Sequence, residues 1–244
     1  MTCRLCLQTY ELCDSHIVPE FLYKTLYSKE KHNFVQLSGP PKVRKWQKGF
    51  REKLLCRNCE DKLNKWETYA AQVLVGGTEI GFEKLQNTIM VRDIDYTKFK
   101  LFQLSLIWRA GASGLQQFSN VNLGPHEEKI RCMIEKDNPG APADYGCLII
   151  FTPSYFDLTG QMMMLPQETK FDGHRCYTFL MAGMTWVFFV SSHVRQLLHA
   201  EKMFLGLDGV LPVMIENAAS KIFFERTFIE WKKSGNLDKA LNRI

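Results

Sequence analysis

The sequence predicts an α+β protein in which a small cysteine-bearing module precedes an α+β region built from an antiparallel sheet and flanking helices. Three observations predict it. Two Cys-x-x-Cys pairs, Cys3/Cys6 and Cys56/Cys59, are separated by 49 residues. Apolar residues recur at helical spacing after the second pair, over 97–110 and over 125–136. Strand-forming runs then fill 147–192.

The elements follow in order. Residues 19–28, PEFLYKTLYS, read as a helix with Pro19 at its first position, where a missing N–H costs nothing. Gly39, Pro40 and Pro41 make the stretch from 32 to 53 a loop or hairpin. Leu63, Trp66, Tyr69, Ala70 and Val73 share one helical face, so a helix leaves the second cysteine pair. Gly76 and Gly77 open a linker over 76–95, which divides the chain into a module of residues 1–75 and a region of residues 96–244. In 125–136 the leading Pro125, with Glu127 and Glu128 in the first turn, suits a helix N-terminus and its dipole. The runs 147–156, 161–171 and 175–192 read as three strands, the last two joined at Asp172-Gly173. Helices near 193–204 and 210–233 complete the chain.

A hydrophobic content of 45% with 12% aromatic residues is ordinary for a chain with a packed core. No apolar run approaches the ~18 residues of a membrane span, and MTCRLC has no basic stretch followed by an apolar one, so the expected setting is a reducing cytoplasm. Close cysteine pairs in such a compartment indicate metal or redox chemistry more than disulfides. Cys132, Cys147 and Cys176 stand alone among apolar neighbours and read as core. The net charge of +5 is uneven: 13 of 31 Lys/Arg and 8 of 26 Asp/Glu fall in residues 1–75, leaving 18 of each beyond. The cysteine-bearing segment carries the whole excess, which suits a polyanionic partner.

Two Cys-x-x-Cys knuckles can each direct two thiolates at one tetrahedral ion at about 2.3 Å, so Cys3, Cys6, Cys56 and Cys59 are candidate ligands of a structural zinc. A redox reading uses one pair and leaves the other without a role. Zinc would also supply folding energy to a short segment with a meagre core of its own.

Between the knuckles lies Asp14-Ser15-His16-Ile17-Val18-Pro19, and the second knuckle is preceded by Leu-Leu. Over residues 3 to about 70 this pattern resembles the HNH endonucleases, whose ββα-metal fold is a hairpin and helix around a catalytic cation, in many members with a structural zinc on two Cys-x-x-Cys pairs. The resemblance implies a zinc-stabilised HNH-like module, the four cysteines as zinc ligands, and His16 as the general base that takes a proton from the attacking water. Phosphodiester hydrolysis needs such a base near neutrality, and a hard cation, Mg²⁺ or Mn²⁺, to stabilise the developing oxyanion. Asp14 and Glu60 are the nearby oxygen donors for it. In a regular strand Asp14 and His16 share a face and Ser15 points away. The pattern departs from the family at Ser15, where an acidic ligand is usual, in FREKLLC, which lacks the middle asparagine, and at Glu60, where His or Asn is usual. A zinc-dependent nucleic-acid-binding or adaptor protein without turnover is the alternative, with His16 structural, or a zinc ligand alongside Cys13.

Lys42, Arg44, Lys45, Lys48, Arg51 and Lys53, with Trp46 and Phe50 among them, lie between the knuckles. Such a set contacts phosphates and stacks on an unpaired base, so the expected partner is nucleic acid, DNA in the first instance. Residues 96–244 show no catalytic pattern, and their expected role is target choice, homo-oligomerisation or docking of an activating partner. Small nucleases of this kind serve in prokaryotic genome conflict, which makes antiviral defence the setting the resemblance implies.

Overall fold

In the computed structural model, the described residues are 1–26, 34–35, 45–46, 49–153, 163–171, 173–191 and 200–215. The amino-terminal module is a strand pair followed by a helix. β1 (Leu12–His16) runs antiparallel to β4 (Arg51–Cys56), and α1 (Arg57–Val75) leaves β4 directly. Between them lie a 3-10 helix, Glu20–Leu26, and the two-residue strands β2 (Phe34–Val35) and β3 (Lys45–Trp46), paired with each other. The β1–β4 register passes from Leu12↔Cys56 to Asp14↔Lys53, which puts one extra residue on β4. That bulge breaks the alternation, and Leu54, Leu55 and Cys56 are all buried in succession. In α1 the buried residues are Cys59, Leu63, Trp66, Ala70 and Val73, the expected stripe with Tyr69 at its margin.

A seven-stranded sheet forms the rest of the architecture: β5 (Gly81–Leu85), β6 (Thr88–Arg92), β7 (Cys147–Phe151), β8 (Met164–Phe171), β9 (His174–Met181), β10 (Met184–Phe189) and β11 (Leu211–Ile215), in the order β5-β6-β11-β7-β10-β9-β8. Every pairing is antiparallel except β11 with β7. Helices α2 (Tyr96–Ala112) and α3 (Pro125–Glu135) accompany the sheet. Asp95 caps α2 by accepting the Lys98 N–H, and every residue from Phe99 to Ala110 is buried. The reason is its position. Helix α2 meets the sheet through Phe99 and Phe102 against Trp186, and it meets the amino-terminal module through Phe102 against Phe21 and through Arg109 against Glu67. A helix covered by both needs apolar residues all round. One apolar core accordingly runs from Cys3, Leu5 and Leu55 to Trp186 and Val213.

The structure departs from the sequence reading at five places. Residues 81–92, expected as linker, form the β5–β6 hairpin at the sheet edge; Gly76, at φ 99°, only ends α1. The run 175–192 is two strands, because Ala182 and Gly183, at φ 51° and 72°, make a tight left-handed turn inside it. Residues 211–215, expected to begin a helix, are β11, since a short apolar run buried between two strands carries no periodicity that separates it from a buried helix. Residues 216–233 of that expected helix lie outside the described residues, as do 192–199. Ala200–Met203 forms a 3-10 turn. The helix expected over 19–28 is 3-10 over its described part.

Lys100 is fully buried in α2, with Nζ donating to the carbonyls of Pro142 and Tyr145 at 3.2 and 3.1 Å. Burial lowers its pKa from 10.5 to about 8, although Cys147 and Asp144 pull the other way. Between these two values the unfolded chain holds a proton that the folded one has released, so this group makes stability rise with pH across that window. Below it the folded state bears a cost on the order of 3 kcal/mol. Denaturant titrations of the native chain and Lys100→Met should therefore diverge between pH 8 and 10.5, the native chain gaining relative to the variant. Parallel curves would mean that the ammonium is fully compensated where it sits.

Candidate metal centre and a histidine on strand β1

The first knuckle is a tight turn. The Leu7 N–H donates to Cys3 O at 3.0 Å, the Cys3 N–H to Gln8 O at 2.9 Å, and Leu7 takes φ 61°. The Arg4 N–H donates to Leu54 O at 3.0 Å, which lays the turn against β4 just before the second pair. Cys56 closes β4 at the N-cap position of α1, and Cys59 sits in the helix's first turn. All four Sγ atoms lie within 4.8 Å of one another, with Cys6 and Cys56 at 3.8 Å. A tetrahedral ion with bonds of about 2.3 Å sets its ligand sulfurs about 3.8 Å apart, so the group matches that size with slight expansion.

The electrostatics point the same way. Burial raises the Cys3 thiol, yet N–H groups of Cys56, Cys6 and Leu5 outweigh it and bring the pKa down to about 7. The Cys56 N–H lies 3.3 Å from Cys3 Sγ. Burial, followed by the neighbouring thiols, pushes Cys59 well up, and burial raises Cys6. Four thiols this close and this buried resist carrying negative charge together, an arrangement that a cation relieves. The four cysteines can therefore hold a metal such as zinc.

His16 ends β1. Its side chain is 23% exposed and its Nε2 lies 2.9 Å from Glu20 Oε2, four residues on. Arg51 is its direct partner on β4, and the Arg51 guanidinium stands 3.9 Å from Asp14. Asp14 is exposed, whereas Ser15 is buried with Oγ accepting the Leu55 N–H at 3.1 Å. The faces alternate as expected.

The three candidate residues Asp14, His16 and Glu60 do not converge. Among the described residues the four cysteines are the one group of three or more potential ligands with donor atoms within 4.8 Å of each other. Glu60 Oε1 is buried with no hydrogen-bond partner. Those three do not together form a cage for Mg²⁺ or Mn²⁺, which asks for several oxygen donors near 2.1 Å. Of the basic loop, Lys42, Arg44 and Lys48 lie outside the described residues. Lys45 and Trp46 form β3, and Arg51 is exposed. The Lys53 ammonium donates to Leu12 O at 3.1 Å from an exposed side chain, and Phe50 is buried edge-on against Phe118, out of reach of a base.

Comparison with protein-family models, curated proteins and solved structures gives no match. Several residues around His16 escaped the sequence reading. Glu20 had a weak signal in its spacing of four from the histidine. Arg109 had a stronger one: a lone arginine inside the apolar run of α2, where a buried guanidinium needs an acidic partner. That partner is Glu67, at 2.6 Å.

Proposed function

We propose that this chain is a zinc-stabilised, HNH-like endonuclease that hydrolyses nucleic-acid phosphodiester bonds with His16 as general base. One observation supports it above the others: a partly exposed imidazole, engaged by a carboxylate, at the end of the first strand of a strand–strand–helix unit that also carries the four-cysteine site. In the tautomer that donates Nε2–H to Glu20, Nδ1 is the nitrogen that takes a proton from water, and Glu20 holds the ring in place. The water oxygen bonds to phosphorus, the bridging P–O bond breaks, and the departing oxygen takes a proton from solvent. Arg51, opposite His16, offers its guanidinium to the phosphate. The test is incubation of the chain with plasmid, single-stranded DNA and RNA in the presence of Mg²⁺ or Mn²⁺; intact substrate throughout would sink the reading.

A second reading, a zinc-dependent nucleic-acid-binding or adaptor protein without turnover, is favoured by the failure of Asp14, His16 and Glu60 to assemble a joint cation site. Both readings place nucleic acid on the basic loop. Replacing Lys42, Arg44 and Lys45 together by Ala should weaken binding to all sequences alike and flatten the slope of log affinity against log salt by about 2 to 3. An unchanged slope removes that loop from the interface. Among the described residues no helix is long and apolar enough to cross a membrane.

A further inference from the structure

We propose that Arg109 is a positioning residue for His16, by which helix α2 of the second region fixes the base; the inference builds on the nuclease reading. The Arg109 side chain is 1% exposed. Its NH1 group donates to the backbone carbonyl of His16 at 2.9 Å and contacts Glu67 Oε1 of α1 at 2.6 Å. Its Nε donates to Ser105 O at 3.2 Å and its NH2 to Ser105 Oγ at 3.3 Å, so the fork is held from its own helix as well. The other end of the same peptide unit, the Ile17 N–H, donates to Phe50 O at 2.9 Å. A peptide unit is planar and stiff, so holding both its C=O and its N–H fixes the plane that leaves the His16 Cα. The direction of the imidazole toward Glu20 is thereby set.

The facing strand is tied to the same helix. Glu52, next to Arg51 on β4, accepts from Ser113 Oγ at 2.8 Å and from the Gly114 N–H at 3.1 Å, just past the end of α2. Both strands of the hairpin are thus anchored to one rigid element at the level of His16. Stability alone does not call for this chemistry, because a buried ion pair is commonly replaced by apolar residues at no loss. A planar fork that reads one carbonyl and one carboxylate at once supplies geometry that an apolar side chain cannot.

The experiment compares the full chain with Arg109→Lys and with the double variant Arg109→Met/Glu67→Met, which leaves no unpaired buried charge. Zinc content and thermal unfolding report the fold, the His16 ring proton signals report the position of the imidazole, and kcat and KM on plasmid report the reaction. In the double variant, zinc content should be unchanged, the ring signals should move, and kcat should fall about 100-fold with KM within about 3-fold. Arg109→Lys, which keeps the charge against Glu67 and one donor, should lie between. Ring signals and kcat equal to those of the native chain in a zinc-loaded double variant overturn the proposal. So does a double variant that loses its zinc while Arg109→Lys keeps native ring signals, since the pair would then serve folding alone. If the native chain cuts nothing, the nuclease reading fails by itself, and the ring signals still decide whether Arg109 positions His16.

Discussion

Replacing Cys59 by Ala, or stripping metal with a strong chelator, is expected to unfold the amino-terminal module and with it much of the chain's cooperativity. Structural zinc contributes an apparent 10 to 16 kcal/mol in small domains, comparable with the roughly 5 to 15 kcal/mol that separates a whole folded protein from its unfolded state. The loss would not stay local here. Leu5, between the first two ligands, is buried in the common core, and its carbonyl accepts from Arg131 of α3. Lys62 of α1 donates to Glu135 O and to Asp137 Oδ2 at 2.6 and 3.0 Å, a second tie to α3. Elemental analysis of protein purified without chelator should find one zinc per chain, and thermal unfolding should shift down by tens of degrees after chelation. Metal-free protein with an unaltered melting curve would remove the ion from the account of this fold.

On the nuclease reading proposed above, His16→Ala is expected to reduce nucleic-acid cutting by about 10²- to 10⁴-fold, the range set by loss of a positioned general base. Zinc content and affinity for nucleic acid should be retained. The side chain sits at the end of β1 and its polar contact is with Glu20 rather than with the core, so its removal leaves no buried donor or acceptor orphaned. Glu20→Gln should be milder, because the ring keeps a hydrogen-bond acceptor at that position. Single-turnover cutting under saturating substrate separates the chemical step from binding. Equal rates for the native chain and His16→Ala would leave the histidine without a catalytic role.

The four-cysteine cluster was legible because metal chemistry favours a spacing that survives any fold: two pairs of cysteines, each pair three apart, needed only the antiparallel β1–β4 pair to meet. Helix α1 was legible from its apolar stripe, α2 from a long run of helix-compatible residues, and α3 from Pro125 and the acidic first turn. β11 and the β5–β6 hairpin were not, since short strands gain their identity from neighbours distant in sequence. The partners of His16 were hidden for the same reason. Arg109 lies 93 residues away, and only the packing of α2 against the hairpin brings its guanidinium to that carbonyl.

The place of β11 in the sheet has a consequence for biosynthesis. It alone joins the β5–β6 hairpin to β7, with its entry held where Gly209, at φ 75°, lies so close to Ile94 that an added Cβ would fall 2.5 Å from Ile94 O. On the ribosome the hairpin and β7 emerge well before residues 211–215, at a rate of about 5 to 20 residues per second, and so wait on the order of ten seconds with unsatisfied edges. Phe82 and Leu85 are exposed even after assembly. A stop codon ahead of Leu211 would make that interval permanent.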